Sequence, residues 1–385
     1  MPKIICQAFK NAYFVRPGGT TWMDVSIIIS YYSGLNILKN CLSQLYKTLI
    51  FTKCSYEVIV VNDNPDVKLE KNLQEFSDIK VINHEKNMGH PAACNNGAKI
   101  AVGKYLVFMD CDIFVTNNWL EELYQIYKNI PNTGAVSATI LNMNTSKIHM
   151  TGVAIHQVDM LKILRGSEVN EIAKDYECFD FLSSACILIS KEIFNKVKGF
   201  DELFFNSDGD LDLTYRIKKQ GYQLVTAYKS LVYHKGGVAG TMRRISINDT
   251  KALFFKKWGN DLPDGIYKIE QLYKHFSATH DIADRYLIIN LCKSLALNDY
   301  IEIIQKSLST KIIQVYNFKQ YYDFSGVSFM DFINNNLVHY NTPFIFLSDN
   351  FLCVSNNYFW FKTRECKKDI TLDINGNIEF VINVI

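Results

Sequence analysis

No C-x-x-C pair occurs among the ten cysteines and their spacing is irregular, which excludes a zinc knuckle and a disulfide framework. Several of them (Cys94, Cys186 and Cys353) sit inside apolar runs, where a reduced thiol behaves as a small hydrophobe. Neither sign of charge dominates, with 41 Lys and Arg against 39 Asp and Glu, so neither a nucleic-acid footprint nor an acidic tail is present. No run approaches the ~18 apolar residues of a membrane span. The N-terminal Met1-Pro-Lys-Ile-Ile-Cys-Gln7 is too short in its apolar part for a signal sequence. A reduced, cytoplasmic protein is the expectation. Glycine loops for phosphate are missing as well. The first strand pattern runs into Ser30-Tyr31-Tyr32-Ser33-Gly34, with a single glycine where a dinucleotide loop needs G-x-G-x-x-G. Gly97 with Gly103-Lys104 approaches a Walker A loop, but it has one residue too many and Tyr105 stands where Ser or Thr is required. Internal repeats and low-complexity tracts are absent. A phosphate bound here would need a metal held by carboxylates to carry its charge.

Against these absences stand short apolar runs alternating with helical patterns. Val25-Ser-Ile-Ile-Ile29, Tyr56-Glu-Val-Ile-Val-Val61, Ile79-Lys-Val-Ile82 and Tyr105-Leu-Val-Phe-Met109 read as buried strands from their β-branched continuity. Between them, Asn36 to Leu49 places Ile37, Leu38, Cys41, Leu42, Leu45 and Leu49 on one helical face. Pro91 to Val102 reads as a helix rich in small residues. This alternation predicts an α/β domain whose mostly parallel sheet is covered by helices on both faces. Such sheets bind ligands outside the carboxyl ends of their strands. Tyr31, Tyr32, Asp63, Asp110 and Asp112 all fall at those ends. A D-x-D tripeptide alone reads first as a solvated turn. Placed among the other polar strand ends, Asp110-Cys111-Asp112 becomes a corner for a divalent cation and a diphosphate, because hard oxygen ligands suit Mg²⁺ or Mn²⁺.

Further along, Trp119 to Tyr127 predicts a helix capped by Asn117 or Asn118. Gly134 to Ile140, Phe181 to Ser190 and Gln223 to Tyr228 predict strands. The turn-rich Asn260-Asp-Leu-Pro-Asp-Gly265 marks a boundary. The expected organisation is a leader over 1–22, the α/β domain over 23–262 and a small α+β appendage over 263–385. In that appendage Gln271 to Lys306 reads as helical. From Lys311 the texture becomes short aromatic and β-branched runs, with Trp360 and Phe361 raising the expectation of an acceptor- or partner-binding role.

Several short motifs then follow one another in a telling order. They are Glu57-Val-Ile-Val-Val-Asn-Asp63, Asn87-Met-Gly89 with Ala93, Asn95 and Gly97, and Gly103 to Asp112. Ser184 to Ser190, Gly199-Phe-Asp-Glu202, Asp210-Leu-Asp212 with Arg216 and Gly221-Tyr222, and Val232-Tyr-His-Lys-Gly236 complete the series. In their order and spacing, from Val25 to Trp258, the chain resembles the family 2 glycosyltransferases of the GT-A (nucleotide-diphospho-sugar transferase) fold. It is similar in particular to the rhamnosyltransferase-type enzymes that build bacterial surface polysaccharides.

The resemblance implies a metal-dependent, inverting transfer of a sugar from a nucleotide-diphosphate donor (UDP, dTDP or GDP) to a hydroxyl of a glycan or lipid-linked acceptor. Mn²⁺ or Mg²⁺ would be the cofactor. A lipid-linked acceptor would bring the enzyme into peripheral membrane contact. Asp63 would accept a hydrogen bond from the base, with Ser30 and Tyr31 or Tyr32 beside it and Asn87, Gly89 and Asn95 in the same donor region. Asp110 would face the ribose or the metal and Asp112 the metal, with His234 as a further ligand or a diphosphate contact. Ser184 and Ala185 would line the sugar pocket. The base that deprotonates the acceptor would be Asp210, which aligns with the family's catalytic carboxylate. Many relatives carry Glu or Asp immediately before it where this chain has Gly209, so Asp208 is the alternative. Asp212 would serve the helix N-terminus equally well. Two other classes fit parts of the pattern. A sugar-1-phosphate nucleotidyltransferase shares the architecture but needs a basic loop that Ser30 to Gly34 lacks. A non-catalytic sugar- or nucleotide-binding module would treat Gly209 as a lost base, against which the three neighbouring aspartates argue.

Overall fold

The computed structural model describes residues 24–381 apart from 51, 53, 77, 157–158, 237–239, 280, 291, 293–296, 318–341, 349–367 and 374–377. The expected leader and the pair Trp360 and Phe361 lie outside the described residues. Two compact units are present. One holds the described residues up to Ser146 together with Ala173–Asp261, and the other holds Lys147–Ile172 with the residues from Leu262 onward.

The first unit opens with β1 (Val25–Tyr31), α1 (Leu35–Leu49), β2 (Tyr56–Asn62), the short α2 (Leu69–Asn72), β3 (Lys80–Asn83) and α3 (His90–Ile100). It continues with β4 (Tyr105–Asp110), β5 (Ile113–Val115), α4 (Trp119–Asn129) and β6 (Thr133–Asn142). After β7 (Ile148–Met150), β8 (Val153–His156) and β9 (Asp159–Lys162), which belong to the other unit, it resumes. The remainder is β10 (Tyr176–Phe179), β11 (Cys186–Ser190), α5 (Lys191–Lys196), α6 (Gly209–Lys219), β12 (Gln223–His234) and α7 (Gly240–Trp258). The sheet order is β10-β12-β6-β11-β4-β1-β2-β3. Strands β3, β2, β1 and β4 run parallel, as do β6 and β12, while β11 is antiparallel to both of its neighbours. Val25, Ile27, Ile28, Ile29, Leu106, Val107 and Phe108 are fully buried, as expected of strands covered on both faces. Helix α3 packs on β1 and β2, and α4 packs on β6 and β12.

Several elements depart from the sequence expectation. Strand β12 does not stop at Tyr228. A register shift between Ala227 and Leu231 absorbs the polar Lys229-Ser230, and the strand then runs on to His234, pairing with β5 on the way. The run from Phe181 yields a strand only from Cys186, because residues 180–185 turn at the sheet's end. Asn118 occupies the N-cap position of α4 in the left-handed region (φ 62°), without a side-chain cap bond. Helix α3 ends at Ile100, two residues before the expected end.

In the second unit β8 and β9 form an antiparallel hairpin, and α8 (Ile266–Thr279) packs on β8. There follow β13 (Arg285–Asn290), α9 (Leu297–Ser307), β14 (Lys311–Asn317), β15 (Phe344–Ser348), β16 (Ile370–Asp373) and β17 (Ile378–Val381). The sheet order is β14-β13-β15-β16-β17, with parallel pairing as far as β16. The expected helical stretch Gln271–Lys306 is therefore two helices separated by β13. Tyr286, Leu287, Ile288 and Ile289 of that strand are buried, and a short apolar run of this kind fits strand or buried helix equally by periodicity. Among the described residues no helix is long and apolar enough to cross a membrane.

Candidate active site

The carboxyl ends of β4 and β12 meet through β5. Because β5 follows Asp112 directly and pairs His234 with Ile113, the ladder carries the imidazole to the carboxylate. His234 Nε2 stands 3.3 Å from Asp112 Oδ1, and the Lys235 amide donates to the Asp112 carbonyl at 3.1 Å. One ligand atom each from Asp110, Asp112 and His234 lies within 4.8 Å of the others. Asp112 is 5% exposed, so it is held by the fold rather than solvated as a turn residue would be. Cys111 between them is buried, and burial, followed by the Asp112 charge, pushes its thiol up. It stays a neutral, hydrophobic spacer. The set of two carboxylates and an imidazole fits a divalent cation, and the nitrogen suits Mn²⁺ better than Mg²⁺.

Strand β11 brings a second group of residues to this corner. Its antiparallel register with β4 sets Cys186 opposite Met109, and the Asp110 amide donates to the Ala185 carbonyl at 3.0 Å. Ser184 precedes it, and its amide donates to Asp210 Oδ2 at 3.3 Å. Thr214 of α6 bonds the Asp210 carbonyl (2.8 Å) and accepts from the Leu182 amide (3.3 Å), which pins the start of α6 to the segment before β11. Ser30, the last register partner of Asp110 on β1, lies on the other side. The expected residues Ser30, Asp110, Asp112, Ser184, Ala185, Asp210 and His234 are thus brought together.

The acidic cluster divides. Asp212 has no exposed surface and is bonded by Arg216 Nε (2.8 Å), Trp258 Nε1 (2.9 Å) and Lys257 Nζ (2.7 Å). Asp208 adopts the left-handed region (φ 60°), and its Oδ2 accepts from Thr250 of α7 at 2.8 Å. Asp210 Oδ1 accepts from the Leu211 amide at 3.0 Å. Gly209 is packed: a Cβ there would lie 3.2 Å from Phe204 Cβ and 3.4 Å from Pro91 Cγ, so a larger side chain would need those neighbours to give.

Asp63, at the end of β2, is 4% exposed. His84 Nδ1 lies 2.7 Å from its Oδ1, and the Met88 and Gly89 amides donate to Oδ1 at 2.7 Å and Oδ2 at 2.8 Å. Asn87 Oδ1 also accepts from the Gly89 amide at 3.0 Å, so this loop is bonded from both sides. Gly89 takes φ +89°, and a Cβ there would come within 2.4 Å of the Phe205 carbonyl oxygen, so glycine is required. A cleft of about 530 Å³ lined by Asn83, His84, Glu85, Lys86 and Met88 opens beside this carboxylate. At the end of β1, Tyr31 is buried (2% exposed) and Tyr32 is 39% exposed, so only Tyr32 offers a ring to a ligand. Asn95 is engaged elsewhere. Its amide brackets Phe200 and Glu202 through bonds of 2.9 to 3.0 Å.

The sequence reading missed His84 and His90. His90 begins α3 with Nε2 3.4 Å from Asp110 Oδ1 and Cys94 Sγ 3.5 Å away. Burial disfavours its charged form, but Cys94 and the Asp110 carboxylate outweigh this and raise the imidazolium well above its ordinary range. Their signal in the sequence is faint: one histidine on each side of Asn87-Met-Gly89.

Residues 26–198 match the family model of glycosyl transferase family 2. Over these residues the chain is similar to the family 2 glycosyltransferases. Its sheet is mostly parallel, with β11 reversed beside β4, in keeping with the α/β architecture expected from the sequence. The chain is 27% identical over 224 residues to the O-antigen biosynthesis protein RfbC of Myxococcus xanthus, covering 55% of this chain and 17% of that one. It is 22% identical over 209 residues to the low-salt glycan biosynthesis hexosyltransferase Agl10 of Haloferax volcanii, covering 52% and 64%. Among solved structures it resembles S. aureus TarS residues 1–349 at 17% identity and a TM-score of 0.44, covering 66% of this chain and 71% of that one. The chain spans less than two thirds of the length of either curated relative.

Proposed function

We propose that the protein is a metal-dependent, inverting glycosyltransferase that moves a sugar from a nucleotide-diphosphate donor to an acceptor hydroxyl. The observation that carries this is the continuity between two corners: Asp110, Asp112 and His234 on one side, and Asp210 across Ser184 and Ala185 on the other. Asp112 and His234, with Asp110, would hold the cation. When bound, a divalent cation offsets charge growing on a leaving diphosphate. The donor then lies across the ends of β1, β2 and β4, with its base at Asp63 and Tyr32.

Asp210 is the base. Ser184 N–H and its own Leu211 N–H orient the carboxylate, which takes the proton of the attacking hydroxyl as that oxygen displaces the nucleotide in one step. The nucleophile belongs to the acceptor, so no covalent enzyme intermediate forms. Asp208 is the alternative base; Thr250 of α7 ties its Oδ2, whereas Asp210 is tied to Ser184 beside the metal corner. Relatives named for O-antigen and low-salt glycan synthesis support an acceptor on a surface glycan. The test is incubation with nucleotide sugars, Mn²⁺ and candidate oligosaccharides, following nucleoside diphosphate release and the anomeric configuration of the product. Acceptor-dependent release with an inverted linkage is expected. Retention, or triphosphate formation from pyrophosphate, would overturn the reading.

A further inference from the structure

We infer that His90 is a positioning residue of the metal corner: its imidazole engages one oxygen of Asp110 and leaves the other for the cation. This rests on the metal-dependent transfer proposed above. Of the two carboxylates, Asp110 is the one with room to turn. Its side chain keeps 28% of its surface exposed at the end of β4, against 8% for Asp112. A ligand that can turn loses that freedom when it binds, which weakens the site. His90 Nε2 lies 3.4 Å from Asp110 Oδ1. An ionised carboxylate only accepts, so the imidazole nitrogen facing it carries a proton. Outer partners of this kind orient ligating carboxylates in metal sites generally.

The imidazole is itself held. His90 and Cys94 are four residues apart on one face of α3, and Cys94 Sγ is 3.5 Å from Nε2. The Phe200 ring meets the imidazole edge-on, with centroids 5.8 Å apart at 85°. Cys94 and Phe200 are both buried, so the ring packs against fixed neighbours. On the backbone side, the His90 amide donates to the Phe205 carbonyl at 3.0 Å. Pro91 follows, packed against Gly209 at the start of the helix that carries Asp210. The first two residues of α3 therefore touch both the metal corner and the approach to the base. Replacing the His90 side chain removes the first contact and leaves the second.

The experiment measures Mn²⁺ bound to the full chain by electron paramagnetic resonance, with UDP, dTDP or GDP present and nucleotide-only controls. Three variants are compared with the unaltered protein, and circular dichroism melts identify those that fold. His90→Ala and His90→Leu lack the donor, and the leucine still fills the space beside Phe200. Both are expected to bind Mn²⁺ about tenfold to 100-fold more weakly. His90→Gln, whose amide can donate to Asp110, should recover most of the loss. A ring that only fills space predicts a lowered melt with Mn²⁺ affinity unchanged. Unchanged affinity in a folded His90→Ala or His90→Leu would overturn the inference and leave the transferase reading standing. Loss in those two without rescue by glutamine would overturn the donated proton as its cause. If the unaltered chain binds no Mn²⁺ with any of the three nucleotides, both the inference and the metal-dependent reading beneath it fall.

Discussion

Asp210 and Asp212 sit two residues apart in the first turn of one helix, yet their surroundings give them opposite duties. Asp212 is buried against Arg216, Lys257 and Trp258, so removing its charge takes the carboxylate from Arg216 and leaves Lys257 with Asp201 alone. Asp212→Asn is expected to cost about 3–5 kcal/mol, read as a large fall in melting temperature. Asp210→Asn touches only two amide bonds and should melt close to the unaltered protein while turnover falls about 10²- to 10⁴-fold. A pH-dependent pair lies at the opposite end of the strands. Burial raises the Glu57 carboxyl, but Lys80, then Ser26 and the Val102 amide, outweigh it and hold it below its ordinary value. A depressed carboxylate contributes stability that is complete above the unfolded value of about 4.3 and is lost as pH falls through the folded one. Glu57→Gln should therefore be destabilised most near neutral pH and approach the unaltered protein in acid, as urea melts at several pH values would reveal. Residues such as Asp110 and Asp112 are legible in the sequence because two of them share one tripeptide after a strand. His84 and Lys257 were not, because their partners Asp63 and Asp212 are 21 and 45 positions away, and only the folded chain joins them.

At the scale of elements, the strand ends set the site. The four parallel strands could be read from β-branched continuity alone, which is a local signal. The extension of β12 to His234 could not, since it depends on a bulge and on pairing with the three-residue β5, which has no periodicity of its own. The strand β13 was hidden for a related reason: between two helical stretches its apolar run carries no mark of period. The loop from β3 to α3 gives a further expectation. Gly89→Ala forces a side chain against the Phe205 carbonyl in a left-handed conformation, and should cost upwards of about 1 kcal/mol. Because the Gly89 and Met88 amides both bond Asp63, nucleotide affinity should fall with it, which separates this variant from Asp210→Asn, whose nucleotide binding should be retained.

For the molecule as a whole, the boundary expected near residue 262 is only half of the division. Lys147–Ile172 groups with the residues beyond Leu262, and within that unit the Gly265 amide bonds the Ile155 carbonyl while α8 packs on β8. A chain ending at Asp261 should leave Val153, Ala154 and Ile155 exposed, and limited proteolysis should cut it between residues 147 and 172 where the full chain resists. The metal corner remains the centre of the functional reading. Its most direct test is UDP affinity by calorimetry with Mn²⁺, after chelation, and for Asp112→Asn in Mn²⁺. If Asp110, Asp112 and His234 hold the cation that anchors the diphosphate, binding is strong only for the unaltered chain with metal and weakens about tenfold or more in the other two. Equal affinity in all three would contradict it.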